Sequence, residues 1–225
     1  MVEEHPAFEP PEDRDAPIWR FTDLAKFLSL LVRRDLYFHR ADLQEDPFEG
    51  AIWKLYGQDT KRVPDLPSAA RRWLDDGVFV NSWHCNAHES MAMWKIYGAE
   101  ASGIALRSTY NRLIRSFEGA QAPIHVGVVR YQDFDERAPP QDDDWLPFMH
   151  KRKAYEYEQE LRAVTTCGDE EATGVYVGVD LGELVERVVL APGTPEWVLE
   201  LARDLAGRYE LEAPIEASEI DVPVP

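Results

Sequence analysis

The spacing of apolar residues changes several times along the chain, and each change marks an expected element. Leu24, Phe27, Leu28 and Leu31 fall at helical spacing, with Thr22 or Asp23 placed to cap the start. Leu36-Tyr37-Phe38 predicts a short strand and Asp46-Pro47-Phe48-Glu49-Gly50 a turn-rich loop. Short helices are expected over 52–56 and 69–74, the second ended by Gly77. Val78 to Trp83 is rich in β-branched and aromatic residues and predicts a strand, while Glu89 to Tyr97 reads as a helix closed by Gly98. Strands are expected over 103–107, 125–131, 161–165, 175–179 and 185–190, and helices over 109–117 and 196–209. In the last helix Trp197, Leu199, Leu201, Leu205 and Tyr209 give mixed core faces.

Residues 1 to 16 are rich in proline and acids without an apolar period, which predicts a flexible tail ahead of one domain over 17–225. Asp133 to Pro147, with its Asp142-Asp143-Asp144 run, reads as a solvated acidic loop. Helices and strands intermix without a regular βαβ alternation, and there is no internal repeat. The expected class is α+β, a single domain with a split antiparallel sheet core.

Composition narrows the function. With 44% hydrophobic residues in 225, the chain can fill a core, which excludes a wholly disordered protein. Lys and Arg number 24 against 42 Asp and Glu, a net charge of −18. A globally basic surface for duplex DNA or anionic lipid is excluded, though a local basic pocket is not. Cys85 and Cys167 are too few for a disulfide framework or a four-cysteine zinc site. No run reaches the roughly 18 apolar residues of a membrane span, and the first residues lack the basic start and apolar run of a signal peptide. A soluble, cytoplasmic protein with no membrane partner is expected.

Three stretches carry candidate chemistry. In Trp19-Arg20-Phe21-Thr22, where a strand meets the first helix, Arg20 is either an ordinary surface arginine or a phosphate ligand helped by helix-start N–H groups. In Asn81-Ser82-Trp83-His84-Cys85-Asn86-Ala87-His88-Glu89, His84 and His88 are four apart, which would suit zinc only on a helix. Because the stretch straddles a strand end, no metal is expected, and the nearby Met91 and Trp94 are read as core. The third stretch runs from Lys151 to Arg162. If 157–163 is extended, Glu156, Glu158, Glu160 and Arg162 share one face, and the acids repel unless Arg162, Lys151 or Lys153 answers them. Charge alone leaves open a wet sheet edge or a functional carboxylate pair.

Phe48 within Asp-Pro-Phe-Glu-Gly, then Ser82-Trp83-His84, then residues 89–98 and 155–162, taken in order, resemble bacterial domain-of-unknown-function family 2971. Some of its members resemble abortive-infection proteins of the AbiGi type, which implies a toxin or anti-phage defence setting and an antitoxin or defence partner. An aromatic-Arg-aromatic-Thr stretch, a Ser-bearing central strand and a late Glu-x-Glu are also similar to ADP-ribosyltransferases of the Arg–Ser–Glu type. That resemblance implies NAD as co-substrate. Arg20, with Thr22 beside it, would hold the dinucleotide phosphates, and Ser82 would position the glutamate and the nicotinamide ribose. Glu160 would be the catalytic acid, with Glu158 upstream, and Trp83 or Tyr97 would stack on nicotinamide. The usual Ser-Thr-Ser signature is here Asn81-Ser82-Trp83.

Glycosidic cleavage of NAD makes an oxocarbenium-like centre that a fixed carboxylate such as Glu160 stabilises, while Glu158 takes the acceptor's proton. A protein or nucleic-acid acceptor is expected, the latter gripped locally by Arg152 and Lys153. Two other classes remain open: a non-catalytic binding or sensor module in a defence or toxin–antitoxin pair, and a metal-dependent hydrolase or nuclease using His84, His88 and the acids.

Overall fold

Asp23 divides the first two elements of the structure, a computed structural model that describes residues 1–44, 77–98, 102–133, 143, 145–168 and 171–221. Before it lies strand β1 (Pro17–Asp23), and after it helix α1 (Leu24–Arg33). The Asp23 carboxylate accepts from the Lys26 N–H at 2.8 Å, so of the two candidate caps it is the aspartate that serves. Arg34 closes the helix in a left-handed conformation, φ 56°, with its N–H on the Leu30 carbonyl. Phe27, Leu30 and Leu31 are buried and Val32 is exposed, the one-sided burial that the spacing implies.

The chain continues through β2 (Asp35–Arg40), β3 (Val78–Cys85), α2 (Met91–Tyr97), β4 (Gly103–Thr109) and α3 (Tyr110–Ser116). Then come β5 (Ile124–Val128), β6 (Arg130–Gln132), β7 (His150–Arg152), a 3-10 helix (Lys153–Glu158) and β8 (Glu160–Thr166). The last elements are β9 (Gly174–Gly178), α4 (Leu181–Leu184), β10 (Arg187–Leu190), α5 (Glu196–Arg208) and β11 (Ile215–Ala217). Side-chain caps set most helix starts: Ser90 for α2, Thr109 for α3 and Asp180 for α4. The Asp180 cap turns the chain into a helix just before a strand that was expected from residue 185 and begins at Arg187. Met91, expected in the core, is exposed, and Met93 takes the inward position beside Trp94. Likewise Val198, Leu199, Ala202 and Ala206 form the buried stripe of α5, leaving Trp197 and Leu201 outside. The loop at 46–50 and the helices expected over 52–56 and 69–74 lie outside the described residues.

The fold class is α+β with mostly antiparallel sheet, and the chain forms two compact units. The second unit comprises Pro11–Leu36, Trp83–Ala120 and Gly178–Pro225. There β1 pairs with β4 from Pro17↔Thr109 to Asp23↔Gly103, and β4 pairs with β10 from Arg187↔Arg107 to Leu190↔Ile104. β11 adds in parallel to β10, and the end of β3 pairs with β1 at Trp19↔His84 and Ile18↔Cys85. Side chains alternate across β1: Phe21 meets Trp94 edge-on at 4.9 Å, and Trp19 packs in the same cluster. Period two therefore puts Ile18, Arg20 and Thr22 on the opposite face.

The first unit comprises Met1–Pro10, Tyr37–Ser82 and Gln121–Val177. β5 and β8 pair antiparallel from Ile124↔Thr165 to Val128↔Leu161, β8 continues to β3, and β3 pairs with β2 at His39↔Val80. A separate parallel pair joins β6 to β7, with Tyr131 opposite Lys151. Val78, Val80, Phe148, Met149 and Val164 form the core of this unit.

The N-terminal residues differ from the expected flexible tail. Val2 bridges Ile124, the Glu3 N–H donates to the Ile124 carbonyl at 2.8 Å, and the Val128 N–H donates to the Glu9 carbonyl at 2.9 Å. Ala7 and Phe8 are buried, and the Phe8 ring stacks on His125 with centroids 5.0 Å apart. The physical reason is the edge of β5: β8 satisfies one side, and the opposite N–H and C=O groups need partners. Gly127 permits the close approach, since a Cβ there would lie 2.6 Å from Phe8 Cα.

Candidate active site

The glutamates expected along one strand face reach a common point by a different route. Residues 153–158 are helical and Gln159 is left-handed at φ 42°, so β8 begins only at Glu160. Like-charged acids at every second position favour breaking the strand, and the turn brings Glu158 in from the helix end. Glu160 and Arg162 keep the two-residue spacing and share a face of β8.

All of this lies within the first unit. Arg162 grips Glu160 in a fork, Nε to Oε1 at 2.8 Å and Nη2 to Oε2 at 2.8 Å, and spends Nη1 on the Phe148 carbonyl at 2.5 Å. Lys151 Nζ donates to Glu158 Oε2 at 2.6 Å and to Glu160 Oε2 at 3.3 Å. Ser82 on β3 hydrogen-bonds the Glu160 carboxylate, and the Glu160 N–H donates to the Tyr131 hydroxyl oxygen at 2.8 Å. Lys151, Glu158, Glu160 and Arg162 are all buried, between 2% and 7% exposed.

Burial alone would push the Glu160 carboxyl up. The charge of Arg162, then that of Lys151, and hydrogen bonds from Arg162 and Ser82 outweigh it and hold the group down at about 2. Glu160 is therefore ionised at neutral pH. The Tyr131 phenol is pushed well above its usual range by burial and remains neutral. Among the described residues two cations face two carboxylates in this cluster, as burial of charge requires.

Ser82, Glu158 and Glu160 are thus brought together. Of the three cations offered by the sequence, the structure uses Lys151 and Arg162, while Lys153 points to solvent. Tyr131 was not anticipated; its only signal was a place at the end of a predicted strand. Arg20, Thr22, Trp83 and Tyr97 belong to the second unit. Burial pushes the Arg20 guanidinium down to about 10, while part of the residue stays accessible. Thr22 is buried beside it on β1. Trp83 is 2% exposed and offers no open ring face, whereas Tyr97 is 46% exposed at the end of α2.

His84 sits on β3 and His88 beyond its end, so the helical spacing that would pair them is not formed. Among the described residues no group of three or more His, Cys, Asp or Glu stands where it could hold a metal ion. A cavity of about 150 Å³ in the second unit is lined by Trp19, Arg107 and Arg187. It lies on the Trp19 side of β1, away from Arg20. Its arginines are answered by Glu186 at 2.9 Å and Glu216 at 3.1 Å, and Glu89 and Glu219 also line it, so it presents no net positive field to a pyrophosphate.

No family model matches the chain, the family 2971 resemblance included, and no curated protein matches it. Among solved structures it is similar to DarT of Thermus sp. 2.9 in complex with NAD+, at 12% identity and a TM-score of 0.45, over 95% of this chain and 100% of that one. The same DarT in complex with carba-NAD+ gives 13% and 0.44, covering 94% of this chain and 98% of that one. In complex with ADP-ribosylated ssDNA it gives 13% and 0.45, covering 95% and 97%. At those scores the likeness carries no chemistry, which rests on the side chains. Among the described residues no helix is long and apolar enough to cross a membrane.

Proposed function

We propose that the chain is an ADP-ribosyltransferase-like enzyme that uses NAD as co-substrate, with Glu160 as its catalytic carboxylate. The observation that supports this most is an ionised, buried Glu160 fixed by Arg162, Lys151 and Ser82. A carboxylate whose orientation is set before substrate arrives stabilises developing positive charge without reorganising at the moment of reaction. The bond from ribose C1′ to the nicotinamide nitrogen breaks, its electron pair leaves with neutral nicotinamide, and positive charge spreads over C1′ and the ring oxygen. Glu160 balances that charge and accepts a hydrogen bond from the ribose. An acceptor nucleophile then bonds to C1′, and Glu158 takes the proton it loses.

Arg20 holds the pyrophosphate in this reading, with Thr22 beside it, and Tyr97 offers the exposed ring for nicotinamide. A protein or nucleic-acid group is the acceptor, and Arg152 and Lys153 are the cations that would hold a phosphate backbone. A toxin or defence setting with a partner protein belongs to the same reading. A second reading is favoured by one observation: Arg162 occupies both oxygens of Glu160 in a charge-balanced cluster. A binding or sensor module would use such a cluster to fix its fold.

The deciding experiment compares nicotinamide release from NAD by wild type and Glu160→Gln at matched folding stability. Glutamine keeps the shape and removes the charge, and a fall of at least about 100-fold in turnover with little change in NAD affinity is expected. Equal turnover removes Glu160 from the mechanism. Silence in both proteins, with no thermal shift on adding NAD, assigns the chain to the binding module.

A further inference from the structure

We infer that Lys151 is the positioning residue of the glutamate pair, the cation that holds the Glu158 and Glu160 side chains side by side; its place in turnover rests on the reading of Glu160 above. Glu160 already has a cation of its own in Arg162, through two bonds of 2.8 Å. The shortest contact of Lys151 is instead to Glu158 at 2.6 Å, with Glu160 Oε2 at 3.3 Å. One ammonium thus stands against both carboxylates. Two carboxylates that share one ammonium repel each other, and the ammonium offsets that repulsion.

The fold fixes Lys151 as firmly as it fixes the acids. Parallel pairing sets it opposite Tyr131, whose hydroxyl oxygen accepts the N–H that opens β8. The Tyr155 ring of the 3-10 helix lies 5.0 Å from Nζ, a cation–π contact that holds the stem from the other side. Among the described residues the groups facing the pair include Ser82 from β3, Tyr131 from β6, Lys151 from β7, Tyr155 and Tyr157 from the 3-10 helix, and Arg162 from β8. Arg162 forks onto Glu160, and Lys151 donates to Glu158 at 2.6 Å. When Glu158 takes the acceptor's proton, the ammonium remains beside Glu160, so the two carboxylates act through one shared cation.

The experiment is a carbon-detected titration of the Glu158 and Glu160 carboxyls in the full chain, with nicotinamide release measured on the same samples. Peaks are assigned with Glu158→Gln and Glu160→Gln. In Lys151→Met one of the two carboxyls should titrate at least about one pH unit higher than in wild type. Lys151→Arg should keep the wild-type curve. The double variant Lys151→Met/Glu158→Gln, which removes the pair as a unit, should return Glu160 to it. Turnover should fall about tenfold or more in Lys151→Met, with the KM for NAD within about twofold. Unchanged titration in Lys151→Met overturns the inference, even if turnover falls. If Lys151→Met does not fold while the double variant does, charge balance is the role of Lys151; if neither folds, the role is packing and the inference fails. A wild type that releases no nicotinamide refutes the NAD reading alone, since the titration still decides what Lys151 does.

Discussion

Strands β8 and β4 are both buried almost end to end, yet they are built on opposite terms. β4 places Ile104, Ala105 and Leu106 in the interior and sets its one arginine, Arg107, at a half-buried position beside Glu186. β8 buries Arg162 and Glu160 outright, at 2% and 4% exposure, with Leu161 between them. Each large aliphatic side chain on β4 contributes roughly 1.5–3 kcal/mol by leaving water. Each ion on β8 costs several kcal/mol to desolvate, and pairing returns about that amount at best. A strand meant only to hold a core would be served as well by Leu and Met. The charges on β8 therefore add little to stability, and it is on the proposed reading of Glu160 that they have a use.

The contrast can be broken at its sharpest point by Arg162→Ala. This strands Glu160 without its fork and should cost roughly 3–5 kcal/mol in denaturant unfolding; a cost under about 1 kcal/mol would show that the pair is not held in the folded state. Acid acts on the same group with a smaller effect. The folded Glu160 carboxyl, at about 2, lies below its unfolded value near 4.3, so between those values the unfolded chain binds more protons. The stabilisation is complete above the unfolded value and disappears as pH falls toward 2. Wild type should therefore lose stability through that window more steeply than Glu160→Gln, as thermal melts at successive pH values would show. On the apolar side, Ile104→Val should cost only about 0.5–1.5 kcal/mol, because a trimmed methyl leaves no charge stranded. Smallest of all is Arg208→Ala on α5: its bond to Asp204 joins two side chains that are mostly exposed, and a loss of about 0.3–0.5 kcal/mol is expected. A larger loss there would mean that surface pairs matter more in this acidic chain than in most.

The sequence made the elements of β4 legible for the reason that makes the strand stable: apolar content and β-branching report burial directly. The first cap was narrowed to Thr22 or Asp23, since a cap works through its own neighbours, whereas Ser90 and Thr109 were not singled out. The glutamate cluster was only half legible. Two-residue spacing located Glu160 and Arg162 on one face, but it did not show the left-handed turn at Gln159, which accompanies a bond between Lys151 and Glu158 seven residues apart. Met91 and Met93 show the same limit on a smaller scale. A seven-residue helix has too few positions for periodicity to fix which side faces the core. Residues 1–10 misled for a different reason: their order comes from an edge strand more than a hundred residues away, and proline and acid content says nothing of that.

That early segment has a consequence for how the protein behaves in bulk. A chain beginning at residue 11 would present one side of β5 as an uncapped ribbon of hydrogen-bonding groups, flanked by the apolar surface that Phe8 and Ala7 now cover. Such a ribbon templates its own kind, and copies of the shortened chain would associate strand to strand as their concentration rose. The first ten residues then serve as a shield for colloidal solubility, guarding a flank that the net charge of −18 alone would not close.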